Sequence, residues 1–314
     1  MNNKVKGIIC GILAAVFYGT NPLGTMNLYH DGITANSVLV YRFCLATIIL
    51  GLVMLFQRKS FAVSLSELKI LIPLGILMSS SSSTLYISFN YMDVGIASTL
   101  LFVYPVMVAV IMAAFFHERV TIATIISIAL CFCGIMLLNQ TSTGEPLSVF
   151  GVILVMISSL TYAVYIVVVN KSSLRMSSIK LTFYVLLFGI FTILTIDACM
   201  GQSTQLLTTL PQWLYALQLA VLPTVLSLIL MVIAVHNIGS TPTAIMGAIE
   251  PITAVAIGVF MFGEVFTSRL AVGIVLILSA VVLIICGKSL SPRLMSTVIT
   301  KLGKRIAKTW RWKS

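Results

Sequence analysis

The chain has 314 residues, of which 59% are apolar and only 9% charged, and its net charge is +11. A soluble core of that size cannot hide so much apolar surface, so the composition excludes a soluble globular protein and points to a bilayer. The apolar runs are continuous rather than alternating, which excludes a transmembrane β-barrel.

The spacing of the apolar runs predicts ten helical spans of roughly the length a bilayer requires. In chain order they cover about Val5–Leu28, Ala35–Phe56, Leu68–Tyr91, Val94–Phe116, Val120–Leu138, Leu147–Val169, Ile179–Ala198, Gln212–His236, Ser240–Phe262 and Thr267–Cys286. The first has a basic start like a signal peptide, Lys4 and Lys6, but runs past Tyr18 without a convincing cleavage site. It reads as an uncleaved first span. The six cysteines lie in or beside apolar runs at spacings that fit no zinc or redox framework, and read as packing residues.

Lysine and arginine set the orientation. With the N-terminus cytoplasmic, that side carries 17 of them and the other side only Arg269, while Arg42 lies within a span. The expectation is a multi-pass protein of the cell inner membrane with both termini cytoplasmic. Residues 288–314 form a basic tail, with Leu294, Val298, Leu302, Ile306 and Trp310 recurring every four residues. It reads as an amphipathic helix lying on anionic inner-leaflet lipids rather than as a nucleic-acid arm.

Polar residues interrupt some spans and not others. Spans 1, 3, 4, 6, 8 and 9 carry them and are the expected cavity walls; spans 5 and 10 are nearly pure apolar. The costliest interruption is Glu250, set in the last apolar third of the chain and followed by Pro251. Proline removes a backbone donor and crowds the preceding turn, so kinks are expected at Pro251 and, in the first half, at Pro105.

Residues 86–120 can be laid without a gap on 232–266. Tyr104 then meets Glu250, Pro105 meets Pro251 and Glu118 meets Glu264; at a similar offset, Gly7 and Tyr18 fall on Gly151 and Tyr162. Each repeat is thus about 145 residues and five spans, 1–140 and 147–287. An odd number of spans forces the second copy to insert upside down. The fold class is therefore all-α integral membrane, ten helices in two inverted five-helix repeats, with any binding site expected near the midplane.

These features resemble the drug/metabolite transporter superfamily of the EamA type. The resemblance rests on ten spans in two halves, Tyr41-Arg42-Phe43, and the run Glu250-Pro251-Ile252-Thr253-Ala254-Val255 that ends in Phe262-Gly263-Glu264. It implies secondary transport of small organic solutes such as amino acids, metabolites, nucleotide sugars or drugs. The first half departs from the pattern where His117-Glu118 stands for the more usual Gly-Glu.

Glu250 is the leading functional candidate. It could exchange a proton during a transport cycle or hold a substrate ammonium group; a fixed structural pair is the plainer alternative. Arg42 could attract a carboxylate or phosphate with its fork, or snorkel to the surface. Tyr18 with Asn21, Tyr86 with Asn90, and Tyr162 with Tyr165 share helix faces, and Tyr104 is expected to face Glu250. Together they suit an amphipathic cargo. No nucleophile–base constellation, paired metal ligands or phosphate-cradling loop is visible, so neither catalysis, metal nor cofactor is expected. Export driven by protons is the favoured form, with a passive facilitator as its competitor and a membrane receptor or intramembrane enzyme further off. Oligomeric state is not legible.

Overall fold

The computed structural model of the chain describes residues 3–117, 122–138, 147–172, 176–199 and 203–289, with isolated positions between these ranges. The tail past Ser289 and Glu118 lie outside the described residues. Among the described residues, nine helical stretches are long and apolar enough to cross a bilayer, and the shorter apolar helix Ile122–Leu137 takes the fifth place. The spans are therefore Asn3–His30, Ala35–Phe56, Leu65–Ser88, Val94–Phe116, Ile122–Leu137, Val149–Lys171, Ser178–Cys199, Leu210–Ile238, Ser240–Phe262 and Ser268–Ser289.

Four spans are broken, and a proline sits at each break. Span 1 divides into Asn3–Tyr18 and Asn21–His30, span 4 into Val94–Leu101 and Tyr104–Phe116, and span 9 into Ser240–Met246 and Ile249–Phe262. Pro22, Pro105 and Pro251 each fall at the start of the second half-helix, where a missing N–H costs least. In span 8 the break is a π-helical turn, Val221–Leu226, set around Pro223 between the α-helices Leu210–Ala220 and Ser227–Ile238.

Each proline deprives the carbonyl four residues earlier of its partner, and in a bilayer that carbonyl needs another. All four are satisfied. The Asn21 amide donates to Tyr18 O at 2.9 Å, the Ser159 hydroxyl to Leu101 O at 3.2 Å, and the Thr224 hydroxyl to Leu219 O at 2.9 Å. Gly247 O accepts from the Glu250 N–H at 3.0 Å. Two of these donors are polar side chains next to the proline in sequence, one is a hydroxyl from another span and one is a backbone N–H.

The repeat appears as matched contacts. The Ser81 hydroxyl of span 3 donates to Ser158 O of span 6 at 3.0 Å, and the Ser227 hydroxyl of span 8 donates to Ala14 O of span 1 at 2.8 Å. These four positions correspond in the register read from the sequence. Gly7 and Gly151 correspond as well. A Cβ on Gly7 would come 2.6 Å from Ile238, and a Cβ on Gly151 would come 2.8 Å from Met92. Span 1 of each repeat therefore packs on span 3 of the other. Hydrogen bonds between membrane helices contribute little each, about 0.6 kcal/mol on average. Ser227→Ala is accordingly expected to lower stability by only about 0.5–1 kcal/mol, readable as a small fall in Tm; a loss several times larger would give Ser227 a role beyond packing.

One pair of contacts breaks the symmetry. The half-helix Val94–Leu101 packs along Ile249–Phe262, and Val94, Ile96, Ala97 and Leu100 are almost wholly buried. The corresponding pair, Ser240–Met246 and Tyr104–Phe116, is parted by a cavity. The bundle is thus closed at the end away from the N-terminus and hollow toward the N-terminal end.

Candidate functional site

The cavity has a volume of about 490 Å³, within the range of pockets that hold small organic molecules. Tyr104, Pro105 and Val108 of span 4 wall one side, and Thr243, Ala244 and Gly247 of span 9 the other. Gly11, Ala14 and Ala15 of span 1 and Met231 and Val235 of span 8 complete it toward the N-terminal end.

Tyr18, Tyr104, Tyr162 and Glu250 all line this space. They form two corresponding pairs, Tyr18 with Tyr162 and Tyr104 with Glu250, so the site lies on the axis that relates the repeats. The broken helices explain how they meet. Tyr104 and Glu250 each occupy the first turn of a half-helix that begins near the middle of the bundle. A carboxylate in the first turn of a helix also faces the positive end of its dipole. The Tyr104 and Tyr162 rings meet edge to face at 4.7 Å, and Tyr165 stacks on Tyr162 at 5.8 Å. Among the described side chains that line the cavity, Glu250 is the charged one. The wall therefore offers aromatic faces and edges, hydroxyls and one carboxyl group, a set that suits an apolar body bearing a basic group.

A second, smaller cavity of about 140 Å³ lies beyond Tyr18 and Tyr162, which line both. Arg42 and Tyr165 line it. Arg42 is only 4% exposed and does not snorkel. Its Nε donates to the Thr224 hydroxyl at 3.0 Å and its Nη1 to the Tyr86 hydroxyl at 2.6 Å. The Tyr86 hydroxyl in turn donates to Asn21 Oδ1 at 3.3 Å. Arg42 thus sits at the centre of a chain of hydrogen bonds that ends on Tyr18 O and Leu219 O, the carbonyls freed by Pro22 and Pro223. It joins the breaks of spans 1 and 8, and Glu250 and Tyr18 lie within its electrostatic reach.

Several expectations need correction. Asn90 is exposed in the turn after span 3, whereas Tyr86 is buried. The helix ends at Ser88, before Asn90 could follow Tyr86 on the same face. Tyr86 itself is buried against Arg42 rather than lining the large cavity. Span 3 does not wall that cavity either, because Ser81 is used in packing against Ser158. Span 10 does, through Val281, Ile284 and Ile285. A largely apolar cavity is lined by apolar residues, so polarity alone could not find this wall. Ser159, Thr224 and Ser227 stand in the sequence only as polar interruptions of spans 6 and 8; the structure gives each hydroxyl a backbone carbonyl, and the Pro223-Thr224 pair, a hydroxyl next to a helix-breaking proline, is the one local signal of that use.

Comparison with known proteins agrees with this fold. The sequence matches the EamA-like transporter family over residues 5–140 and again over 149–286, one match for each repeat. An uncharacterized transporter of Archaeoglobus fulgidus is 29% identical over 191 residues, which make up 61% of this chain and 67% of that protein. The uncharacterized transporter YetK of Bacillus subtilis is 23% identical over 182 residues, 56% of this chain and 55% of its own. The chain thus spans between half and two thirds of the length of these relatives. One solved crystal structure superposes with a TM-score of 0.65 over 89% of this chain and 96% of its own, at 14% identity, which speaks for the fold alone. With a family match that covers both repeats and nearly all of the membrane-spanning chain, this protein belongs to the EamA-like transporter family.

Proposed function

We propose that the protein exports a small organic solute by alternating access, opening the Glu250 cavity first to one face of the membrane and then to the other. The observation that carries this reading is the position of Glu250. It lies with Tyr104, Tyr18 and Tyr162 on the axis between the repeats, in a cavity that extends toward the N-terminal end of the bundle. A site on the axis is equally close to both faces, and exchanging the conformations of the two repeats would expose it on the other side. The preferred cargo has an apolar or aromatic body and a basic group, which Glu250 would hold. Proton exchange at the same carboxylate would couple export to a proton gradient. If the N-terminus is cytoplasmic, as the arginine and lysine bias leads one to expect, the cavity would face the cytoplasm, the side from which an exporter loads. The basic tail would rest on anionic inner-leaflet lipids.

A metabolite comparison tests this. Cells that overproduce the protein are expected to enrich the medium in one or a few organic amines relative to cells that lack it. Cells that overproduce Glu250→Gln are expected to resemble the latter. An unchanged medium in all three would sink the reading, and enrichment unaffected by Glu250→Gln would remove Glu250 from it. A flux in proteoliposomes that ignored an imposed pH gradient would select the passive facilitator.

A further inference from the structure

At the closed end of the bundle, the Glu264 carboxylate joins the two repeats. Oε1 accepts from the Val94 N–H at 2.7 Å and Oε2 from the Gly95 N–H at 3.3 Å. These are the first two residues of Val94–Leu101, whose amides lack partners within their own helix. Glu264 follows Ile249–Phe262, the half-helix packed against them. Space for the carboxylate is provided by two glycines. A Cβ on Gly95 would come 3.0 Å from Oε2, and a Cβ on Gly258 would collide with the same oxygen. In the repeat register the corresponding glutamate is Glu118, but Gly95 corresponds to Thr241 and Gly258 to Met112. The two glycines that admit the carboxylate are thus present at one end of the molecule only.

We propose that Glu264 is a one-sided latch that holds the face away from the N-terminus closed and biases the transporter toward the conformation seen here. This rests on the alternating-access reading of the cavity. The latch ties the half-helices that are packed in this conformation and that must separate for the Glu250 cavity to open on the other side. The counterpart end, without glycines to seat its glutamate, closes less firmly.

The latch is also pH-sensitive. Burial and the facing Asp93 carboxylate raise the Glu264 carboxyl to about 7, against the opposing pull of the Val94 and Gly95 amides. A carboxyl released to water titrates near 4.3. The closed latch therefore holds its proton more tightly than the open one, so acid favours closure and closure weakens as pH rises through about 7.

Hydrogen–deuterium exchange on the full-length protein in nanodiscs tests the proposal. Glu264→Ala removes the carboxylate; Gly258→Ala keeps it but displaces it, since the clash falls on the end of a flexible side chain. Both are expected to speed exchange by about tenfold or more across 94–101 and 249–262, and to slow it across 104–116 and 240–246. Exchange that rises only at Val94 and Gly95, or in neither variant, overturns the latch and leaves a helix cap. Opening across 94–101 and 249–262 without slowing elsewhere supports the latch and counts against alternation between two faces, so the two readings fail separately. In the wild type the same segments are expected to exchange faster at pH 8 than at pH 6 after correction for intrinsic rates, and Glu264→Gln is expected to lose that difference. A difference that persists in Glu264→Gln overturns the titrating role.

Discussion

Glutamine in place of Glu250 is expected to lower transport by about a hundredfold or more while leaving the bundle folded. The substitution keeps the shape of the side chain, so the wall it shares with Tyr104 and Gly247 is preserved. What it removes is the one carboxyl group that lines the cavity among the described residues, together with the proton that group can exchange. A hundredfold fall corresponds to about 2.7 kcal/mol of lost transition-state stabilisation, within reach of one charge-assisted contact made away from water. Folding is expected to tolerate the change, because a neutral amide is cheaper than a carboxylate at membrane depth. Flux in proteoliposomes, measured with the solute found by metabolite comparison, separates these effects from a Tm taken on the same preparation. A large fall in Tm with equal flux per folded molecule would make Glu250 structural.

Arg42→Met is expected to act the other way round, with a loss of stability of about 3–5 kcal/mol and a loss of transport that follows from it. Methionine fills much of the space but donates nothing. The Tyr86 and Thr224 hydroxyls lose the guanidinium that joins them, and the breaks of spans 1 and 8 lose their link. Glu250 also loses the positive charge within its reach. At roughly 2–4 °C per kcal/mol for a chain of this order of length, Tm is expected to fall by about 10 °C. Arg42→Lys keeps the charge but not the fork that reaches both hydroxyls, and should fall between the two. Thr224→Val, which breaks one arm and frees Leu219 O, is expected to cost about 1–3 kcal/mol. A stable Arg42→Met protein without transport would instead place Arg42 among the cargo contacts.

The architecture was legible because apolar runs, prolines and charge bias are local signals. Run length gives the spans, and Pro105 and Pro251 mark where two of them break. Laying the two halves on each other paired Tyr18 with Tyr162 and Tyr104 with Glu250, and the structure brings all four to one cavity. Other features depend on which way a helix turns or where it stops, and a sequence shows neither. Asn90 looked like a neighbour of Tyr86 only while the helix was taken to continue past Ser88. Arg42 could have sought water or cargo; its partners lie on spans 3 and 8, far away in the chain. The serines of span 3 looked like cavity polarity, yet Ser81 serves to pack two helices. Glu264 closes a helix in the sequence and there suits a cap, a tie between the repeats or a gate, because the glycines that make room for it lie well outside any local motif. The conformation itself, closed at one end and hollow at the other, belongs to the packing of the two copies, which an internal repeat makes look alike.

Spin labels at two pairs of exposed sites test the account most directly. Asn90 and Val265 flank the closed end, and Phe116 and His236 the hollow end. Distances between them, measured in nanodiscs by electron–electron resonance, report each end separately. The account predicts two populations, one short at 90–265 and long at 116–236, the other reversed. Added solute should move molecules between them, and Glu264→Ala should favour the second. Distances that stay fixed under every condition, or that lengthen together at both ends, would contradict alternating access around Glu250.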